Sequence, residues 1–224
     1  MRPGLRRGEV VRTAPDPDGE FRVLVALHGA ADEPVWARAA QFSASNGSGA
    51  CFFPDVGDDV VVGFLDDDPG EAILLGSLYG SSRAPALAPD EANARKAIVA
   101  RSGLRIDFDE QANMVAIATP GGRIVRLDDD KGEVTITDPQ GNFIALANGC
   151  LTVSAVGDLA LAASRDLTIH CGGTLSAKAA GSLSLAAPTI AAAATEDLSL
   201  ASGGMGSLTG EATLQVRAAL VTIN

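Results

Sequence analysis

Between Leu151 and Leu185 an aliphatic pair spaced i, i+2 returns every eight residues: Leu151/Val153, Leu159/Leu161, Leu167/Ile169, Leu175/Ala177 and Leu183/Leu185. Turn formers separate the pairs, as Gly157-Asp158, Arg165-Asp166, Gly173-Thr174 and Gly181-Ser182. A helix cannot use this period, because 3.6 residues per turn would scatter the leucines around its surface. A strand-and-turn unit can, since residues i and i+2 share a face and the glycine-led residues bend the chain. Eight residues cannot bury their own apolar face, so the units must stack. The expected fold is a β-solenoid, a rod of short strands.

The pattern continues with looser spacing on both sides. Upstream pairs stand at Leu104/Ile106, Val115/Ile117, Ile124/Arg126, Val134/Ile136 and Ile144/Leu146, about ten residues apart. Downstream come Ile190/Ala192, Leu198/Leu200, Leu208, Leu214/Val216 and Val221/Ile223. Gly121-Gly122, Asp128-Asp129-Asp130-Lys131-Gly132 and Pro139-Gln140-Gly141-Asn142 read as turns, so the upstream part forms hairpins or wider coils before the octads. Roughly fifteen short strands from Leu104 to Asn224, stacked ~4.8 Å apart, predict a shaft on the order of 70 Å long.

A single-chain solenoid encloses its core with longer coils, of about twenty residues. Eight residues cover one side of a narrow prism, and three chains around one axis would close it. After Phe143 there is no Phe, Tyr or Trp, which suits a core too thin for rings. Geometry and volume therefore predict a homotrimer. Its axis would be lined by Leu151, Val153, Leu159, Leu161, Leu167, Ile169, Leu175, Leu183, Leu185, Leu198 and Leu200.

Charge and composition exclude several classes. The chain has 224 residues with 17 basic and 28 acidic, a net charge of −11, which disfavours a nucleic-acid partner. Met1 to Arg7 is basic, but no apolar core of a signal peptide follows. No run approaches the ~20 apolar residues of a membrane span. Cys51, Cys150 and Cys171 are odd in number and unevenly spaced, and read as reduced, buried thiols in a protein made in the cytoplasm.

His170 follows the inward-facing Ile169, so alternation turns it outward as a surface histidine. Asp128 to Asp130 make a solvated turn rather than a calcium loop, because EF-hand spacing is absent. Asp158, Asp166 and Asp197 lack the Gly-Gly-x-Gly-x-Asp frame of calcium-binding repeats. No catalytic, cofactor or metal residue is assigned.

A second domain precedes the rod. Ser81 to Asp90, rich in Pro, Ala and Ser, reads as a linker, dividing the chain into a barrel at 1–80, a linker at 81–97 and a shaft at 98–224. Within the first part, strands are expected at Glu9 to Arg12, Phe21 to Leu27, Val35 to Ala40, Asp59 to Leu65 and Ala72 to Leu78. Five strands in that length suit a small OB-fold barrel. Pro54 to Asp59 should be a tight turn into the Val60 to Phe64 strand, and Asp66 to Gly70 a solvated hairpin turn. Trp36 reads as a core anchor rather than a base-stacking platform. Arg38 either pairs with a nearby carboxylate or lines a trimer contact. A single-strand-binding OB-fold would need a basic groove with exposed aromatics, which one Trp, one Tyr and the acidic balance oppose.

These residues carry a family resemblance. Trp36-Ala37-Arg38, then Pro54-x-Val56-Gly57-Asp58-x-Val60-Val61-Val62-x-Phe64, then Asp68-Pro69-x-x-x-Ile73-Leu74-x-Gly76-Ser77-Leu78-Tyr79, resemble the OB domain of phage baseplate assembly protein V and of type VI secretion VgrG proteins. With the octads behind it, the resemblance spans Gly8 to Asn224. It implies an all-β protein: an OB-fold barrel followed by an intertwined trimeric β-helix.

It also implies a trimeric, non-catalytic spike at the tip of a contractile phage tail, tailocin or type VI-like machine. Such a protein is made in the cytoplasm, assembled into a baseplate and driven through the target envelope, with transient membrane contact. The chain starts almost at the barrel, so a hub or baseplate protein at that end would be a separate chain. The linker leaves no room for an inserted lysozyme, and His28 and His170 do not form the His-x-His apex of some phage spikes.

The chain stops in strand-like sequence at Leu220 to Asn224, which predicts open backbone edges. Leu214, Val216, Leu220, Val221, Ile223 and Asn224 would then dock a separate tip protein similar to the PAAR-repeat cones. The alternative is a β-helical, tailspike-like protein that binds or degrades polysaccharide. That class needs a wide coil with aromatic-lined clefts, and the shaft sequence offers neither.

Overall fold

The computed structural model describes residues 4–29, 33–68 and 70–222. Among them the chain is all-β, with fourteen strands, one 3-10 turn and no α-helix. It divides into two compact units, Met1–Leu161 and Ala162–Asn224.

Period-two alternation builds the N-terminal barrel. β1 (Arg6–Arg12), β2 (Arg22–Leu27) and β3 (Val35–Ala39) form a meander, and a small hairpin of β4 (Ala44–Ser45) and β5 (Ser48–Gly49) follows around Asn46-Gly47. β6 (Asp59–Phe64) and β7 (Ala72–Ser77) then close the barrel in the order β1-β2-β3-β7-β6. β3 and β7 run parallel, and β6 returns to β1. This is the five-stranded Greek-key arrangement of an OB-fold. The five expected barrel strands are all present, with β1 starting three residues earlier, at Arg6.

The barrel interior holds Val10, Val23, Val25, Leu27, Ala37, Val60, Val62, Ala72 and Leu74, with Val35 and Phe64 packed against them. Each fully buried valine contributes about 1.5–3 kcal/mol. Irregular pairing at Val10/Arg12 and Val61/Val62 adds the local twist that closure demands.

A second sheet follows. β8 (Arg95–Val99), β9 (Arg105–Asp109), β10 (Met114–Ala118), β11 (Ile124–Asp128), β12 (Glu133–Thr137), β13 (Phe143–Ala147) and β14 (Cys150–Ser154) form a seven-stranded antiparallel meander in chain order. β8 starts inside the last residues of the stretch read as linker. The sheet is built from hairpins, and a turn with Gly at its tip recurs nineteen residues apart, at Gly103, Gly122 and Gly141. The last hairpin turns on Asn148-Gly149, both at positive φ (52° and 71°), the pairing a type I′ turn requires.

Beyond Ser154 the strands stop but the octads do not. The backbone bends at 156–157, 164–165, 172–173, 180–181, 188, 195–196, 203–204, 211–212 and 219, with residues of no regular structure between. No backbone–backbone hydrogen bond joins described residues in 155–222. From Leu104 onward the described residues thus hold six strands rather than about fifteen. An extended segment becomes a strand only when another strand supplies its ladder, and this part of the chain supplies none to itself.

Candidate assembly surface

Strict alternation gives the seven-stranded sheet two unlike faces. Cross-strand register lines up one row of Ile98, Ile106, Ile117, Val125, Ile136, Ile144 and Val153. Beside it runs Lys96, Phe108, Val115, Leu127, Val134, Leu146 and Leu151. Thirteen of these fourteen side chains are apolar, and the Lys96 ammonium leaves the row for Glu110, 2.7 Å away.

Nothing among the described residues covers this face: Ile117 is 50% exposed and Leu127 48%. Among the described residues only Ala116 of the sheet joins the buried apolar residues; the other nine are in the barrel. An open apolar concavity of about 410 Å³ follows the first row from Ile117 to Val153 and reaches Leu159. In the upstream pair read as Ile124/Arg126, the residues on the apolar face are instead Val125 and Leu127. β11 is shifted by one residue from that reading, which exchanges the faces of every side chain in it.

The opposite face is mixed: Ala97, Asp107, Ala116, Arg126, Thr135, Ala145 and Thr152 run along its middle, with Met114, Ile124 and Phe143 toward its margins. Arg105 grips Asp107 in a bidentate ion pair, and Lys131 lies 2.7 Å from the buried Asp128. The Lys131 ammonium holds the Asp128 carboxyl below the usual carboxylate range, and the Asn142 amide does the same for Asp138. The aliphatic face, by contrast, presents two unbroken apolar rows, and apolar surface left in water is unfavourable for every Å² exposed.

The expected axis residues extend that exposure. Leu151 and Val153 are in β14 on the aliphatic face; Leu159, Leu161, Leu167, Ile169, Leu175, Leu183, Leu185, Leu198 and Leu200 all stand exposed between successive bends. So do Leu214, Val216, Leu220 and Val221 of the expected docking end, while Ile223 and Asn224 lie outside the described residues. His170 is exposed. The three cysteines are free and exposed, not buried: Cys150 opens β14, and Cys171 lies in the uncovered octads.

The motif residues of the barrel act mainly in its construction. Pro54 is buried; Gly57, at φ 93°, donates its N–H to the Val10 carbonyl at 2.8 Å; Asp58 Oδ2 accepts the Asp55 N–H at 2.9 Å. Phe64 packs on the core, Gly76 pairs with Val61 across β6 and β7, and Tyr79 is exposed. Pro69 lies outside the described residues. Arg38 is exposed, 3.8 Å from Glu20.

Trp36 is not a core anchor. Alternation in β3 sends Ala37 inward, so the Trp36 ring lies on the outer barrel wall, with the guanidiniums of Arg12 and Arg22 at 5.0 and 5.9 Å. Arg22 is fixed by Asp16 at 2.8 Å and by Asp18, and its guanidinium drives the Asp16 carboxyl far below its ordinary range.

A charged cluster that sequence reading missed sits at one end of the barrel. Asp59 pairs with Arg7 and lies 3.6 Å from His28, and the Arg7 guanidinium lowers its pKa. Arg83, from the stretch after the barrel, reaches Glu9 at 3.2 Å and the Gly57 carbonyl. Arg101 of the first sheet turn meets Asp55 at 3.2 Å. These partners are far apart in sequence, so spacing carried no sign of them.

Among the described residues no three His, Cys, Asp or Glu side chains converge as metal ligands, and no helix is long and apolar enough to cross a membrane. Residues 6–79 match the family described as the type VI secretion system/phage-baseplate injector OB domain. No curated protein matches the chain.

Proposed function

With residues 6–79 belonging to the injector OB-domain family of type VI secretion systems and phage baseplates, we propose that the chain is a homotrimeric, non-catalytic spike of such a machine. The family supports a structural role in a baseplate-type apparatus. The observation that carries the finer reading is the uncovered aliphatic face of the sheet, continued by octads that bend every eight residues without pairing to themselves.

Three copies placing that face on a common axis would bury it, and interleaving their octads would give every extended segment a neighbouring strand. Folding and association then become one event beyond Ser154. The face that carries Asp107, Arg126 and Thr135 is left to solvent. Phage tail, tailocin and type VI-like machines all fit this arrangement.

In this reading the barrel attaches to a separate hub protein. The aliphatics from Leu214 onward receive a separate, PAAR-like tip protein, and the shaft is carried through the target envelope. The decisive measurement is mass in solution by light scattering. Three times 22.7 kDa is expected, and a stable monomer would overturn the reading. Deleting the last octad should abolish capture of a tip protein encoded beside this chain; retained capture would remove the docking role.

A further inference from the structure

The hairpin repeat of the sheet ends at one place, and there the chain loses its own pairing partner. Three turns are the same closed loop: Gly103 N–H to Ala100 O, Gly122 N–H to Thr119 O and Gly141 N–H to Asp138 O, at 2.8, 3.0 and 3.2 Å. Each is sealed again by Ala100 to Leu104, Thr119 to Arg123 and Asp138 to Asn142. The turns stack, since a Cβ on Gly103 would meet Pro120 at 3.1 Å and one on Gly122 would meet Pro139 at 3.5 Å. The third turn meets Val156 instead, at 3.2 Å from the same construction on Gly141.

The residue closing that third turn is also different. Leu104 and Arg123 close the first two; Asn142 closes the third, and its Oδ1 accepts the Val156 N–H at 2.8 Å. Asp138 holds Asn142 in place, accepting its amide at 2.8 Å and its backbone N–H at 2.9 Å. The backbone bends at 156–157, directly after this bond, and Leu159 arrives at the rim of the aliphatic concavity beside Phe143 and Val153. It does not pair behind β14. One edge of β14 carries β13; the other has no strand among the described residues. A free edge and an unpaired segment of matching aliphatic spacing therefore occur within the same few residues.

We propose that the free edge of β14 takes the Leu159–Leu161 segment of a second copy of this chain as its next strand, Asn142 turning each chain's own segment away from that edge. This rests on the trimeric reading above and adds the point at which pairing within a chain becomes pairing between chains. Leu159 and Leu161 of the incoming copy extend the rows of Leu151 and Val153. The middle residues, Thr152 and Ala160, then face each other on the opposite side whether the new strand is parallel or antiparallel. Each copy gives one segment and receives one, so three copies close a ring.

Cross-linking of the full chain tests this. In a background with Cys51, Cys150 and Cys171 changed to Ser, Thr152→Cys with Ala160→Cys is oxidised and run on a denaturing, non-reducing gel, with light scattering of the same sample. Interchain-linked dimer and trimer are expected at about tenfold the level given by Thr135→Cys with Ala160→Cys, because both edges of β12 are occupied and disulfides need Cβ atoms about 4 Å apart. Adding Asn142→Ala should lower the linked fraction severalfold. A sample of trimeric mass that links only within chains, or not at all, overturns this proposal and leaves the trimer standing. A monomeric mass overturns both.

Discussion

Gly8 and Val25 are in contact so close that a Cβ on the glycine would lie 2.5 Å from Val25 Cγ1 and 2.7 Å from the Ala26 carbonyl oxygen. β1 can lie on β2 at this point only because the side chain is missing. Gly8→Ala should therefore destabilise the barrel by about 1–3 kcal/mol, the usual penalty for overpacking. The single Trp, Trp36 on the barrel wall, reports it as a lower denaturation midpoint by fluorescence. An unchanged midpoint would mean that β1 moves aside at little cost.

Acid should weaken the fold through identified carboxylates. Asp16, Asp59, Asp128 and Asp138 are each held below their ordinary range, by Arg22, Arg7, Lys131 and Asn142 in turn. Such groups bind fewer protons folded than unfolded. Their stabilisation is complete above about pH 5 and is lost as the pH falls through the unfolded value of about 3.9 toward the lower folded ones. Asp16→Asn should be less stable than the parent at pH 7 and lose less on acidification. The gap between the two denaturation series should narrow below about pH 4 and not yet be closed at about pH 2, because the folded carboxyl lies far below its ordinary range. Parallel series would exclude Asp16 as a contributor.

The two faces of β12 predict opposite outcomes for neighbouring substitutions. Ile136→Asp places a carboxylate in the aliphatic row, where burial in a shared core costs several kcal/mol per charge. Mass by light scattering should drop from three chains to one. Thr135→Asp, on the opposite face, should leave the mass unchanged. Equal behaviour of the two variants would contradict a core on the aliphatic side.

The proposed interleaving of octads predicts an assembly that is slow to come apart. Unheated samples in SDS are expected to migrate as trimer, and boiled ones as monomer. Leu167→Asp should abolish that resistance while Trp36 fluorescence still reports a folded barrel. Prompt dissociation of the parent chain into folded monomers would rule out interleaving.

The barrel was legible because its strands alternate cleanly. Val23, Val25 and Leu27 set β2, Val60 and Val62 set β6, and the Asp-rich turn separates β6 from β7. Trp36 departs from the core position its size suggests because alternation governs β3: Ala37 points inward, and two arginines make the outer wall hospitable to the ring. The hairpins of the second sheet were also in the sequence, in the nineteen-residue recurrence of Gly103, Gly122 and Gly141. At β11 a ten-residue spacing of pairs selects Ile124 and Arg126, whereas the register places Val125 and Leu127 on the aliphatic face.

The order of strands, the alternation of faces and the eight-residue bends follow from local sequence, since period and turn chemistry act over a few residues. The ion pairs of Arg7 with Asp59 and Arg83 with Glu9, and the hydrogen bond that the Val156 N–H donates to Asn142 Oδ1, were decided only by the tertiary structure, which brings distant backbone together. The same holds for which segments find a strand partner inside the chain. Up to Ser154 the hairpins supply one; beyond it the octads repeat the same aliphatic spacing, and no second strand among the described residues joins their ladder.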